Sequence, residues 1–171
     1  MLNENSIIKL NTEVKSPRRF VFVLIENFTL LSFSSALDAL RIANRMSGKK
    51  LYDWTFIGEN EEFVSCSAGT QFKLDNSLIE LHRDDTILLC GGTAIQESTT
   101  KKLIGWIRRE ARRGLVIGGL CTAAYPMAKA GLLDDKKATI HWENQDSFAE
   151  EFLEVELTKT VFVCDGNRYT T

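Results

Sequence analysis

Leu115-Val-Ile-Gly118-Gly119-Leu120-Cys121-Thr122-Ala-Ala-Tyr125 is the stretch on which the fold turns. Its first three residues make a short apolar strand, the glycine pair makes a tight turn, and small residues after the cysteine open a helix. A strand–helix junction of this kind lifts one side chain clear of the backbone, as a nucleophile elbow does. The side chain lifted here is a thiol. At a helix N-terminus, unpaired N–H groups and the helix dipole favour its thiolate form. Cys121 therefore either performs thiol chemistry or sits in a site that keeps that architecture for binding.

On both sides of this stretch, strands and helices alternate. Phe20-Val-Phe-Val-Leu-Ile25 is an unbroken apolar run, as expected of a strand buried on both faces of a parallel sheet. Residues 30–46 carry Leu30, Phe33, Leu37, Leu40, Ile42 and Ala43 near helical period, and Ser47-Gly48 ends the helix. Residues 52–58 alternate as a second strand, and 61–75 suggest short strands around a Ser67-Ala-Gly69 turn. Residues 86–90 form a third buried strand, followed at once by Gly91-Gly92. A helix is expected over 97–113, a strand over 115–117 and the post-elbow helix over 122–130. The pattern predicts an α/β fold, a three-layer sandwich around a mostly parallel sheet. Ligands of such sheets bind at the carboxyl ends of the strands. That rule groups the loop after Ile25, Gly91-Gly92 and the Cys121 elbow.

The chain has 171 residues, enough for one domain, and 44% of them are hydrophobic, ample for a packed core. Its 21 basic and 23 acidic residues leave a net charge of −2, which argues against a dedicated nucleic-acid or membrane surface. The apolar run 20–25 is too short to span a bilayer, and the N-terminus lacks a signal-peptide core, so a cytoplasmic location is expected. Residues 1–18 read as a flexible leader ahead of a domain over 19–171. Cys66, Cys90, Cys121 and Cys164 show no Cys-x-x-Cys spacing. No metal, cofactor or disulfide framework is expected. Cys90 and Cys164 end apolar runs and are expected in the core. At the C-terminus, Val161-Phe-Val-Cys164, the turn Asp165-Gly166-Asn167 and Arg168-Tyr-Thr-Thr171 read as a strand and the start of its return. The expectation is a piece of a longer protein.

A thiol nucleophile needs a base. His82 reads as a surface residue. His141, in Ala138-Thr-Ile-His141-Trp142-Glu143, is either a proton shuttle for Cys121 or a structural histidine at a strand end. If the chain is an enzyme, Cys121 and His141 are its catalytic pair. Glu143 would complete a Cys-His-Glu triad on paper, a pattern read here as a false lead. The basic residues of 101–113 read as the solvated face of a helix whose Leu103, Ile104 and Ile107 point inward. Phe28 and Trp142 are either core residues or the aromatic wall that a quaternary ammonium would need.

Together these pieces resemble the ThiJ/PfpI superfamily, whose fold is flavodoxin-like and class I glutamine-amidotransferase-like, from about Arg19 onward. Within it the chain looks most like the N-terminal domain of AraC-type transcriptional regulators. The marks are Leu37-Asp38-Ala-Leu40-Arg41-Ile-Ala43-Asn44, Gly118-Gly119-Leu-Cys121-Thr122-Ala, Ala128-Lys-Ala-Gly131-Leu132-Leu133-Asp134 and Ala138-Thr139-Ile-His141-Trp142-Glu143. The resemblance implies a homodimer, a small-molecule effector, and DNA contact only through a C-terminal helix-turn-helix domain that this sequence lacks. Catalytic members of the superfamily share a glutamate after the first strand that hydrogen-bonds the cysteine. The matching position here is about Ser32, residues 29–33 contain no acid, and Glu26 falls too early. Peptidase-like members carry histidine directly after the cysteine, where this chain has Thr122. A helix dipole supplies only about 0.3–1 kcal/mol, less than one pKa unit.

The resemblance thus implies a non-catalytic sensor, with a ligand's anionic end on the elbow and Gly91-Gly92 amides. Ser32, Cys121, Thr122 and His141 would surround it, with Phe28 or Trp142 as the cation wall. Relatives with this pattern respond to amino acids and quaternary amines such as arginine, carnitine or glycine betaine. The alternatives are a cysteine-dependent hydrolase, glyoxalase or deglycase, and a purely structural dimerisation module.

Overall fold

A computed structural model describes residues 16–60 and 62–171. The leader expected over 1–18 falls mostly outside the described residues; Arg18, at its end, already belongs to the sheet. In chain order the elements are β1 (Arg18–Leu24), α1 (Leu30–Ser47), β2 (Tyr52–Gly58), β3 (Phe63–Ser65), β4 (Gln71–Lys73), β5 (Asn76–Ser77) and β6 (Thr86–Cys90). They continue with α2 (Ile95–Ser98), α3 (Lys101–Arg112), β7 (Val116–Leu120), α4 (Ala124–Lys129), β8 (Lys137–Ala138) and a 3-10 turn (Trp142–Asn144). The last are α5 (Gln145–Glu151), β9 (Glu156–Leu157), β10 (Val163–Asp165) and β11 (Arg168–Thr170).

Seven strands form one sheet in the order β10-β11-β7-β6-β1-β2-β5. All run parallel except the edge strand β10. Alternation along each strand sends its residues to two separate cores. Val21, Val23, Ile87, Leu89 and Ile117 face Leu103 and Ile107 of α3, Met127 of α4 and Phe148 of α5. Phe22 and Leu24 face Phe33 of α1 on the other side, where Phe22 and Phe33 meet edge to face at 5.5 Å. These are the three layers expected. The chain steps outward from β1 to β2, then returns to place β6 on the other flank of β1. The loops after β1 and β6 thus open side by side at the carboxyl end of the sheet, where such folds bind ligands.

Three local expectations need correction. The helix expected over 97–113 is two helices. Thr99 Oγ1 donates back to the Ile95 carbonyl at 2.6 Å, and the extended Thr100 accepts from Leu103 N–H at 3.0 Å, capping a new helix. The strand expected over 115–117 extends to Leu120, so the glycine pair lies inside β7 and not in a turn. Gly119 is glycine because α4 lies against it: a Cβ there would meet Met127 Sδ at 2.8 Å and the Ala123 backbone at 3.0 Å. Cys164 is exposed, because it lies on the edge strand β10. The short strands expected within 61–75 are present as the β3–β4 antiparallel pair.

Candidate functional site

With the glycines inside the strand, the sharp turn falls on the cysteine itself. Cys121 has φ 61°, a left-handed conformation that side-chain-bearing residues rarely hold. The turn is tied down from three sides. Ala123 N–H and Gly91 N–H both donate to the Leu120 carbonyl, at 3.1 and 3.2 Å. Thr122 Oγ1 donates to the Gly92 carbonyl at 2.8 Å. Cys121 N–H reaches Thr171 Oγ1 at 3.4 Å. The Gly91-Gly92 loop threads between the elbow and the loop after β1, with no room for side chains. A Cβ on Gly91 would lie 2.6 Å from Ala123 N, and one on Gly92 would run into the Asn27 carbonyl and the Thr29 amide.

This threading changes which donors are free. Gly91 was expected to present its N–H to a ligand, but Leu120 takes it. The Gly92 and Thr122 amides donate to no protein acceptor among the described residues. Two unspent donors therefore sit on adjoining loops, a nest suited to an anion.

The neighbour of the thiol is also not the expected one. Cys121 Sγ lies 3.4 Å from Thr29 Oγ1, at the position that caps α1. Ser32 sits one turn along α1, where its hydroxyl donates to the Thr29 carbonyl at 3.0 Å. Glu26 points away, accepting at 3.5 Å from Ser65 N–H. The thiol thus faces a hydroxyl where a carboxylate would be needed to manage its proton.

His141 is drawn to the elbow through its backbone, its N–H donating to the Cys121 carbonyl at 3.2 Å. Its ring Nδ1 stands 3.7 Å from Glu143 Oε2, and no hydrogen bond joins the ring to Cys121 Sγ among the described residues. These groups border a cavity of about 660 Å³. Gly92, Cys121 and Thr122 line it, together with Thr29, Leu31 and Ser32 from the start of α1. The loop into α2 adds residues through Gln96, and the 3-10 turn adds His141, Glu143 and Asn144. Val161 and Thr171 complete the lining. A larger depression of about 780 Å³ lies at the opposite, amino end of the strands, around Arg19, Asp85 and Val116, far from the elbow loops.

Both aromatic candidates are misplaced for a cation wall. Phe28 is fully buried, packed edge to face against Phe33 and Phe72 at 5.4 Å. It belongs to the core because its backbone bridges both Cys66 and Gly92. Trp142 is 71% exposed and lies beside the His141 ring, outside the cavity lining. Sequence reasoning missed Thr29, Gln96, Asn144, Val161 and Thr171 as lining residues. Thr29 had a signal, its place just before a helix. Thr171 had none, because β11 reaches the elbow only by pairing with β7. Arg108 and Arg109 of α3, and Arg113 at its C-terminal cap, are engaged within the protein, whereas Arg112 is exposed. Arg108 donates to the Lys129 and Ala130 carbonyls, and Arg109 and Arg113 hold the fully buried Glu110.

A parallel sheet covered on both faces, with a cysteine elbow at its carboxyl end, defines a ThiJ/PfpI-type domain. Residues 18–171 match the DJ-1/PfpI family, and the chain belongs to it. It is 35% identical over 157 residues to the HTH-type transcriptional regulator GbdR of Pseudomonas aeruginosa, an alignment covering 92% of this chain and 43% of that protein. It is 34% identical over 152 residues to the regulator CdhR of the same organism, covering 89% and 45%. The chain thus spans less than half the length of these relatives. The crystal structure of an AraC family transcriptional regulator from Pseudomonas putida superposes with TM-score 0.76 at 26% identity, covering 91% of this chain and 83% of that one. Among the described residues no helix is long and apolar enough to cross a membrane.

Proposed function

We propose that this chain is the non-catalytic, small-molecule-sensing module of an AraC-type transcriptional regulator. An amino acid or quaternary-amine metabolite binds at the Cys121 elbow, and two cytoplasmic subunits turn that binding into a changed presentation of helix-turn-helix domains carried elsewhere in the polypeptide. The observation that carries this reading is the partner of the thiol. Cys121 Sγ faces Thr29 Oγ1, while the elbow beside it keeps two unspent amides. A threonine hydroxyl cannot accept the thiol proton at neutral pH, and a helix terminus contributes only about 0.3–1 kcal/mol. The site therefore retains anion-binding capacity while lacking an activated nucleophile.

Similarity to the regulators GbdR and CdhR supports the same reading. So does the state of Arg108, Arg109 and Arg113, whose internal bonds leave a reduced basic patch on α3 and favour DNA contact through another domain. Dimerisation has support at the cavity mouth, where Leu31 is 74% and Val161 87% exposed. Apolar side chains of that size gathered at one opening suit a subunit contact.

The test is thermal unfolding of the chain with amino acids, betaines and acylated amines. One chemical class should raise the midpoint, by about 2.7 kcal/mol of stability at a concentration of 100 Kd. The competing reading is a cysteine-dependent hydrolase, glyoxalase or deglycase. Its support is that Cys121, His141 and Glu143 border one cavity. It requires turnover that disappears in Cys121→Ser and alkylation of Cys121 faster than that of a free thiol at neutral pH. The sensor reading expects neither.

A further inference from the structure

From the charged groups around the cavity, we infer that Glu143 selects the cationic end of the ligand, and that the ligand is a carboxylate whose cation carries N–H donors: a primary or secondary ammonium, not a quaternary ammonium. This rests on the sensing reading above and narrows it. The anionic end is set by the Gly92 and Thr122 amides. The cationic end has to be met within the same cavity, which among the described residues one side-chain carboxylate borders, that of Glu143. His141 is fastened to the elbow by its N–H bond to the Cys121 carbonyl. Glu143 follows two residues later on the 3-10 turn, so it is positioned relative to the amide nest by a short, tied segment.

The cation chemistry follows from what these groups offer. A quaternary ammonium has no hydrogen to donate and is held best by aromatic faces. No Phe, Tyr or Trp lines this cavity among the described residues: Phe28 is in the core and Trp142 stands outside. A primary or secondary ammonium instead makes charge-assisted hydrogen bonds to a carboxylate. A quaternary nitrogen would leave Glu143 with Coulomb attraction alone, weakened because its side chain is 63% exposed. Gln96 and Asn144 supply further oxygen acceptors to a donor-bearing cation and gain nothing from a methylated one.

The experiment is titration calorimetry and thermal unfolding of this chain with the standard L-amino acids, each paired with its N,N,N-trimethyl betaine and its des-amino acid. The expected result is at least one amino acid that binds about tenfold or more tightly than its betaine. Glu143→Gln should weaken that amino acid about tenfold and leave binding of its des-amino acid unchanged. The second half separates charge recognition from a structural role, since a disturbed turn would weaken both ligands. A betaine that binds as tightly as its amino acid, or an unchanged affinity in Glu143→Gln, overturns this inference and leaves the sensing reading standing. If no member of the set changes the unfolding midpoint, both fail together.

Discussion

Cys121 carries a side chain through a turn that glycine would make without strain. Holding a non-glycine residue at φ 61° costs on the order of 1 kcal/mol or more. That cost sets a test of the elbow. Cys121→Gly should keep or slightly raise stability in urea unfolding, because it relieves the turn and loses only a weak thiol contact with Thr29. Cys121→Val should lower stability by about 1–3 kcal/mol, since a β-branched side chain fits the left-handed region poorly. Equal stability of the two variants would remove strain from the account. Gly92 is the other residue on which the site depends. In Gly92→Ala the added methyl meets the backbone of Asn27 and Thr29. The fold should lose more than about 2 kcal/mol, with any ligand-induced rise in the unfolding midpoint lost as well. Much of this was legible beforehand. Cys121, Thr122, Gly92 and His141 announce themselves by local pattern, and all border the cavity. Thr29 was marked only by its place before a helix and Thr171 by nothing, because their proximity to the thiol and its amide is created by packing between distant segments. Phe28 shows the converse. Its position in a loop after a strand left a core residue and an aromatic wall both open, and two backbone bridges turn it inward, away from the ligand-binding role assigned to it.

Among the elements, α3 shows how much a helix owes to its surroundings. Leu103 and Ile107 face the core as the spacing predicts, Ile104 is only partly buried against it, and Trp106, outside that expected stripe, is buried as well. The helix start does not follow from the stripe, because two threonines break the run and recap it. Of the basic residues read as a solvated face, Arg109 and the C-cap Arg113 also clamp Glu110. That carboxylate is fully buried, with Arg109 Nε at 2.9 Å and Arg113 at 2.5 Å. Glu110→Ala removes the acceptor for two cations, and it should destabilise the fold by about 2–3 kcal/mol. The two arginines are partly exposed and can turn to water, which keeps the loss below that of a sealed pair. Gly105 on the same helix gives the opposite sign. It is exposed, and a Cβ there would meet nothing within 4 Å. Gly105→Ala should add about 0.5–1 kcal/mol by lowering the conformational freedom of the unfolded chain. Measured by urea unfolding, a loss in Gly105→Ala would mean that this face of α3 is not free.

For the molecule as a whole, the apolar runs indicated a parallel sheet but not its strand order. The central strands β1, β6 and β7 were legible because burial on both faces writes an unbroken apolar sequence. The flank formed by β10 and β11 was half legible. Its hairpin could be read from Asp165-Gly166-Asn167, but its docking beside β7 is a long-range pairing that leaves no local mark. This flank is fastened by charge as well as by strand pairing. Asp165 accepts from the Lys137 backbone N–H at 3.1 Å and lies 3.5 Å from Lys136 Nζ. Those contacts, the backbone hydrogen bond first, hold its carboxyl below the ordinary value. Asp53 is lowered too, chiefly by its bond from Lys50. A carboxyl whose pKa is lower in the folded state stabilises the fold above its unfolded value, about 3.9. That contribution is lost as pH falls through the lower, folded value. Urea midpoints should therefore respond little to these two groups between about pH 7 and pH 5, then fall below about pH 4 as both are protonated. Asp165→Asn keeps an oxygen for the Lys137 N–H but carries no charge to titrate. Its midpoint should begin lower at neutral pH and decline less steeply in acid, converging on the parent protein. Parallel acid limbs for the two proteins would show that the β10–β11 flank is held by strand pairing and packing alone.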